Sequence, residues 1–347
     1  MRFLMISDLH IKETDRPEKL NWVAQFCKYI KEQASDQLMI VFVLGDIING
    51  GKKEAFDAAD TVFSYIKEHT FPVDLQFIFL PGNHDYCDGD INPFADFCRK
   101  QQSALSQYID FTKRDTWSFE YDKINFILCD TMKGEHYHSP GQLSISNIQA
   151  AYSEGKENVL LMHHRILFED AQKHGGIVNQ TEVLAALSSL QIRFIVQGHA
   201  HFTRSNTSLT GIYAFGLGSL AMEGEEQTWI ENESKQFIVL STSDGQVEAV
   251  TNMLYRGGEK RFVPYRMYPA TPNDYSDGTG IPFINCAAVK DYIPRTVMLR
   301  EKAEDSFSKY FNSEYLTSLL DACKEHLHIL LIADAGYGKS VELSNLA

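Results

Sequence analysis

Five short segments of this chain share one design: an apolar run that stops at side chains able to bind a metal. They are ISDLH (Asp8, His10), VLGDIIN (Asp46), LPGNHD (Asn83, His84, Asp85), LLMHH (His163, His164) and VQGHAH (His199, His201). Short apolar runs bounded by glycine or polar residues read as buried strands. Between the early runs lie stretches with helical spacing: Leu20, Val23, Phe26, Cys27 and Ile30 after Pro17, and then residues 53–69. Strands alternating with helices predict an α/β layered fold. In open sheets of that kind, ligands bind just outside the carboxyl ends of the strands, so all five polar ends are expected at one sheet edge.

The residue types suit a pair of cations. Imidazole prefers first-row transition metals, and carboxylates accept most divalent ions. Asp8 with His10, and His199 with His201, are two residues apart and point the same way from an extended segment. One carboxylate can bridge two ions roughly 3.5–4 Å apart. Gly45, Gly82 and Gly198 each precede a candidate ligand, where glycine permits a tight turn and close backbone approach. Any one segment alone would pass as an ordinary loop, since GNHD reads as a turn and GHAH as a loop with a structural histidine. Five in order, each at a strand end, are not explained that way.

The rest of the chain completes a layered domain. TWSFEYDKINFILCDT reads as two strands joined by a turn at Asp122–Lys123, and residues 141–153 look helical. IYAFGLGSLA is a further apolar run, and QFIVLSTSDGQVEAVTNMLY reads as a hairpin turning at Asp244–Gly245. The Pro-, Gly- and Asp-rich MYPATPNDYSDGTGIP marks a linker. The expected organisation is a domain over residues 1–268, a linker over 269–288 and a second segment over 289–347, with a helical-looking stretch near 313–325 and a strand at HILLI.

The set DLH, GD, GNHD, HH and GHAH resembles the calcineurin-like metallophosphoesterase superfamily over roughly residues 1–265. The resemblance implies a four-layer α/β/β/α sandwich around a dinuclear centre that hydrolyses phosphoesters. By motif, Asp8, His10 and His201 would bind one metal, Asn83, His163 and His199 the other, and Asp46 would bridge. His163 is chosen over His164 because the family ligand usually follows the strand directly. The implied chemistry is in-line attack on phosphorus by a water whose pKa the two cations lower. His84 and Asp85 are the candidate catalytic residues. His84 would protonate the leaving oxygen or stabilise charge, and Asp85 would orient a neighbouring loop or cap a turn. The same ligands accept manganese, iron, zinc or nickel, with manganese the first choice in vitro.

Protein serine/threonine phosphatases of this superfamily carry GDxVDRG and GNHE. Here the segments are GDIINGG and GNHD, so Asn49 stands where an aspartate would orient His84. That favours the phosphodiesterase and nuclease branches. A phosphomonoesterase and a non-catalytic assembly module are the alternatives. Lys12, Lys52, Lys53, Arg165 and Arg204 follow the ligands closely, in a chain whose net charge of −14 argues against nucleic-acid binding over its whole surface. A local basic rim, with Arg165, Arg204 and Asn49 on the substrate side, is expected to hold phosphates of a nucleotide or nucleic-acid strand.

Near the end, ADAGYGKS follows the strand HILLI and fits a loose phosphate-loop pattern, with Gly336, Gly338, Lys339 and Ser340 as the nucleotide-binding residues. With DYIPR upstream it resembles the opening of the STAND class of NTPases, which includes the NACHT family. The resemblance implies a truncated P-loop domain that would bind ATP and magnesium only when complete, homo-oligomerise, and control the hydrolase as an effector, a plan that in microbes often serves defence against phage. Six cysteines without a CxxC pair, no signal-peptide pattern and no apolar stretch of spanning length point to a cytoplasmic protein without a membrane segment.

Overall fold

A computed structural model describes residues 1–33, 38–101, 105–132, 140–166, 176–201, 203–208, 211–221 and 235–269, plus two short strands at 296–298 and 316–318. The chain divides into two compact units, Met1–Asp274 and Tyr275–Ala347. The first carries two six-stranded sheets.

The first sheet begins with β1 (Arg2–Ile6), β2 (Met39–Leu44) and β3 (Leu75–Leu80), connected through α1 (Asn21–Gln33) and α2 (Ala55–Thr70). These three strands are parallel, and Ile6 lies opposite Val43 while Leu44 lies opposite Leu80. After β3 come α3 (Asn92–Gln101), β4 (Thr116–Tyr121), β5 (Ile124–Cys129), α4 (Ile145–Ala151) and β6 (Glu157–Met162). Next are α5 (Gln180–Ser189), β7 (Phe194–Gln197), β8 (Arg204–Thr207) and β9 (Tyr213–Gly216). The chain returns to the first sheet with β10 (Gln236–Ser243), β11 (Gln246–Arg256) and β12 (Arg261–Tyr268). The sheet orders are β12-β11-β10-β1-β2-β3 and β4-β5-β6-β7-β9-β8.

Alternation along the strands builds the layers. Phe126 of β5 packs against Phe3 of β1 and Phe42 of β2, with centroids 4.7 and 4.5 Å away, so these faces of the two sheets meet in one aromatic core. The opposite face of the first sheet takes helices: Phe237 of β10 contacts Phe26 of α1, and Phe77 and Phe79 of β3 contact Phe63 of α2. The opposite face of the second sheet, with Ile127, Leu160, Met162 and Ile195, forms a separate cluster with Ile148 of α4 and Val183 and Leu187 of α5. Helices thus lie outside both sheets.

Several expectations shift. Helix α4 starts at Ile145 rather than 141, because Ser144 caps it by accepting from the Asn147 amide. Helices α3 and α5 and strands β8 and β12 add to the elements that the sequence pattern predicts. In the second unit β13 (Thr296–Met298) pairs antiparallel with β14 (Leu316–Ser318), and β14 falls within the stretch read as helical. Three residues of helix-compatible sequence are settled there by cross-strand pairing rather than by local preference. The phosphate loop, with Gly336, Gly338, Lys339 and Ser340, lies outside the described residues.

Candidate metal centre

The strand ends come level, so the loops that leave them converge. Asp8, Asp46 and Asn83 come after β1, β2 and β3; His163 comes after β6, whose Met162 lies opposite Gln197, two residues before His199. The turns are tied together by their backbones. The amides of Leu9 and His10 both donate to the Asp46 carbonyl, at 2.8 and 3.0 Å, and the Asp8 amide donates to the Gly45 carbonyl. Asp8, His10, Asp46, His199 and His201 all have positive φ, between 46° and 76°. This left-handed region costs L-residues energy and is retained where the surrounding structure enforces it, often at functional sites.

Two groups form. In the first, donor atoms of Asp8, His10, Asp46 and His201 lie within 4.8 Å of one another; in the second, those of Asp46, His163 and His199 do. Asp46 belongs to both. Its Oδ1 accepts from the His84 amide at 2.9 Å, and its Oδ2 lies 3.2 Å from His163 Nε2 and 3.8 Å from His10 Nε2. Asn83 joins the second group, its Oδ1 3.0 Å from both His163 Nε2 and His199 Nδ1. His201 Nε2 is 2.9 Å from His10 Nε2 and 3.4 Å from Asp8 Oδ1. Nitrogen lone pairs aimed at one another beside buried carboxylates are a donor set that a cation would satisfy, and the mix of imidazole and carboxylate suits divalent transition ions.

The electrostatics come from burial and crowding. Burial alone would push His163 down; the charge and hydrogen bond of Asp46 outweigh it, with Asp8 and the Leu44 carbonyl adding, and hold His163 at about 9. Burial would likewise raise Asp46, yet His163, His84 and His10 hold it well below the usual carboxylate range. His10 and His84 are lowered, chiefly by burial, against the pull of Asp46. His163 Nδ1 lies 2.7 Å from the Leu44 carbonyl, which can only accept, so the proton sits on Nδ1 and Nε2 faces the centre. His164, the next residue, turns its Nδ1 to Thr131 Oγ1 at 2.7 Å.

The tight geometry depends on two glycines. A Cβ on Gly82 would lie 2.3 Å from both N and Oδ1 of Asp46, and one on Gly198 would lie 2.1 Å from Ser7 Oγ. Ser7 and Ser219 are supports that sequence spacing does not reveal. Ser7 Oγ donates to the Leu44 carbonyl at 2.8 Å, and Ser219 Oγ donates to the Asp8 carbonyl at 2.6 Å. Nothing in their sequence surroundings distinguishes them from ordinary loop serines.

Asp85 is fully buried and accepts from the amides of Ile47, Ile48 and Gly82, at 2.9, 3.1 and 2.8 Å, so it splices its own turn to the neighbouring loop. Two expectations are corrected. Arg165 is 2 % exposed and donates to the carbonyls of Gly198 and Leu217, so it braces the ends of β7 and β9 instead of lining a rim. The contact on His84 Nδ1 is the Gly50 backbone amide at 3.0 Å, not the Asn49 side chain. Arg204 opens β8, and its side chain lies outside the described part. Lys12, Lys52 and Lys53 are exposed, Lys52 beside Glu13 at 3.5 Å.

Two stacked sheets delivering seven metal-competent side chains to one edge define a phosphoesterase-type scaffold. The family model described as calcineurin-like phosphoesterase matches residues 1–202, and the chain belongs to that family. It is a metal-dependent phosphoester hydrolase. A protein of Ruthia magnifica subsp. Calyptogena magnifica described as "Probable cyclic nucleotide phosphodiesterase" is 23 % identical over 236 residues, covering 66 % of this chain and 89 % of that one. Among solved structures, a dimetal phosphatase from Danio rerio is 16 % identical with a TM-score of 0.52, covering 76 % of this chain and 98 % of its own. GAP50, the anchor in the inner membrane complex of Plasmodium, is 13 % identical with a TM-score of 0.50, covering 76 % and 86 %. At these identities the two structures speak to the fold alone.

Proposed function

We propose that the chain hydrolyses phosphodiesters of nucleotides or nucleic acid at a two-ion centre. In this reading Asp8, His10 and His201 would hold one divalent ion, Asn83, His163 and His199 would hold the other, and Asp46 would serve both. The observation that carries it is the membership of Asp46 in both donor groups, one oxygen pinned by the His84 amide and the other among the imidazoles. A bound ion pair supplies Lewis acidity to the phosphoryl oxygens and activates water. The protein's own residues do the rest. The Leu44 carbonyl and the Asp8 carboxylate orient His163 and the His199 amide. His84, accepting at Nδ1 from Gly50, carries its proton on Nε2, 4.0 Å from Asp46 Oδ2, and is placed to donate toward a phosphoryl or leaving oxygen. Manganese is the ion of choice for assay.

The preference for diesters draws on the relative described as a probable cyclic nucleotide phosphodiesterase and on the exposed Lys12, Lys52 and Lys53 beside the ligand loops. A manganese-supplemented panel of nitrophenyl mono- and diesters, cyclic nucleotides, DNA and RNA tests it. Turnover of monoesters alone would replace it with a phosphomonoesterase. The sequence ADAGYGKS supports a second inference, that in a complete P-loop domain ATP and magnesium would act through Gly336, Gly338, Lys339 and Ser340 to assemble copies of the protein and control the hydrolase in a cytoplasmic, antiphage role. Chromatography of a chain extended through the whole P-loop domain, with and without ATP–magnesium, tests it, and a Lys339→Ala version that assembles equally well would end it. No helix among the described residues is long and apolar enough to cross a membrane.

A further inference from the structure

Outside the donor groups, one buried histidine is held on several sides. His164 is fully buried, and its Nδ1 lies 2.7 Å from Thr131 Oγ1, while its own amide donates to the same oxygen at 3.4 Å. Thr131 is itself fixed. Its carbonyl accepts from the Gln142 amide at 2.9 Å, and the preceding Asp130 donates its amide to Asp115 and takes the Tyr86 hydroxyl on its carboxylate. Gly141 closes the box, since a Cβ there would lie 2.7 Å from His164 Cγ. The His199 ring lies against His164, with centroids 4.6 Å apart and planes 38° apart, and the His163 ring meets it edge-on at 5.6 Å.

His199 needs such a wall. It sits on a left-handed backbone with φ of 76°, is only half-buried, and must turn its Nδ1 to face Asn83 Oδ1 at 3.0 Å. Its amide is anchored by the Asp8 carboxylate at 3.2 Å, but that bond fixes the backbone and not the ring. The His163 and His164 rings lie 5.6 Å apart and both pack against His199, at 5.2 and 4.6 Å. His163 Nε2 faces Asp46 and Asn83, while His164 Nδ1 is turned to Thr131.

We propose that His164 is a positioning residue for the second donor group. Thr131 clamps its imidazole, and the clamped ring fixes the rotamer of His199. A phenylalanine would fill the same space without the clamp, so it separates packing from the tilt that the clamp sets. This rests on the two-ion reading above.

The test is manganese titration of the full chain by calorimetry, with stability followed in parallel. Wild type is expected to bind two ions. Thr131→Val and His164→Phe remove the clamp, and His164→Ala removes clamp and wall. Each should weaken one of the two binding events by roughly 10- to 100-fold, as loss of an outer support typically does, with His164→Ala weakest and the other event unchanged. Thr131→Val, nearly isosteric, decides the matter should His164→Ala fail to fold. Two wild-type events in every folded variant, or equal weakening of both, would overturn the proposal. Fewer than two ions on wild type would instead overturn the two-ion reading on which it stands.

Discussion

The backbone N–H of Gly50 donates to Nδ1 of His84 at 3.0 Å. An amide can only donate, so Nδ1 is the lone-pair nitrogen and the proton resides on Nε2, on the side of the metal groups. Charging the ring would set two donors against each other, and burial lowers its pKa as well. In the proposed reaction His84 would therefore act as a neutral hydrogen-bond donor to charge developing on the phosphoryl group. Replacing it with Ala should lower kcat by about 10²- to 10⁴-fold while the protein still binds two ions. Loss of an ion in His84→Ala would show that its role is structural.

Metal binding and protons should compete at His163. In the metal-free protein its pKa is held at about 9, above the ordinary 6.5. Its contribution to stability is therefore full below 6.5 and is lost as pH rises through 9. Asp85 acts in the same direction: burial and the Asp46 charge raise it to about 7, so its contribution also fades as pH rises through that value. Asp46, held low, contributes above its ordinary 3.8 and is lost only in acid. The melting temperature of chelator-treated protein should fall between pH 6.5 and 9, and manganese affinity should rise about tenfold per pH unit over the same window. Calorimetry in buffers of different ionisation enthalpy would reveal the released proton; its absence would contradict the His163–Asp46 pairing.

Burial on both faces decides which elements are legible in the sequence. Strands β1, β2 and β6 lie inside their sheets, β3 lies at an edge, and all four are buried along nearly their whole length, so they appear as unbroken apolar runs. Their polar ends stand out by contrast. The edge strands β8 and β12 carry no such mark: β8 reads RSNT, and β12 mixes apolar with charged residues and contains Pro264, which an edge accommodates. Helix α3 does leave a trace, with Pro93 in its first turn and buried Phe94, Phe97 and Cys98 at helical spacing. The outer supports Thr131, Ser219 and Gly50 are set by contacts across dozens of residues, which no local pattern records.

Gly82 should tolerate no side chain. The nearest atoms to an added Cβ are the amide nitrogen and Oδ1 of Asp46, both at 2.3 Å, and neither is the free end of a flexible group. Gly82→Ala must displace the one carboxylate common to both donor groups. A loss of about 1–3 kcal/mol in urea unfolding, together with loss of bound metal by elemental analysis, is expected. Full metal content in the folded variant would show that Asp46 is less constrained than its contacts indicate.

Asp85 offers two oxygens to three amides, one oxygen to Ile47 and Ile48 and the other to Gly82. In Asp85→Asn the amide oxygen can keep one set, but its NH₂ then faces an N–H. Leaving that donor unsatisfied costs about 1–3 kcal/mol. The variant should be less stable, with kcat reduced only as far as metal is lost, so that saturating manganese restores most of the rate. A rate that stays low at full metal occupancy would return Asp85 to the chemistry.

Arg165 is buried beside the ends of β7 and β9, so nearness in sequence to the metal ligands does not put it on the surface. Its Nε and one terminal nitrogen reach the carbonyls of Gly198 and Leu217 at 2.9 and 3.1 Å, and Gly216 makes room for the guanidinium. Lysine keeps the charge but cannot span both carbonyls with a planar fork. Arg165→Lys should lose about 2–3 kcal/mol of stability, the worth of hydrogen bonds to a buried charged group, and should weaken metal binding at His199 through the adjoining Gly198. Its KM for a nucleotide diester relative to a small aryl ester should stay unchanged. A selective rise in KM for the nucleotide, with stability intact, would mean that Arg165 reaches substrate after all.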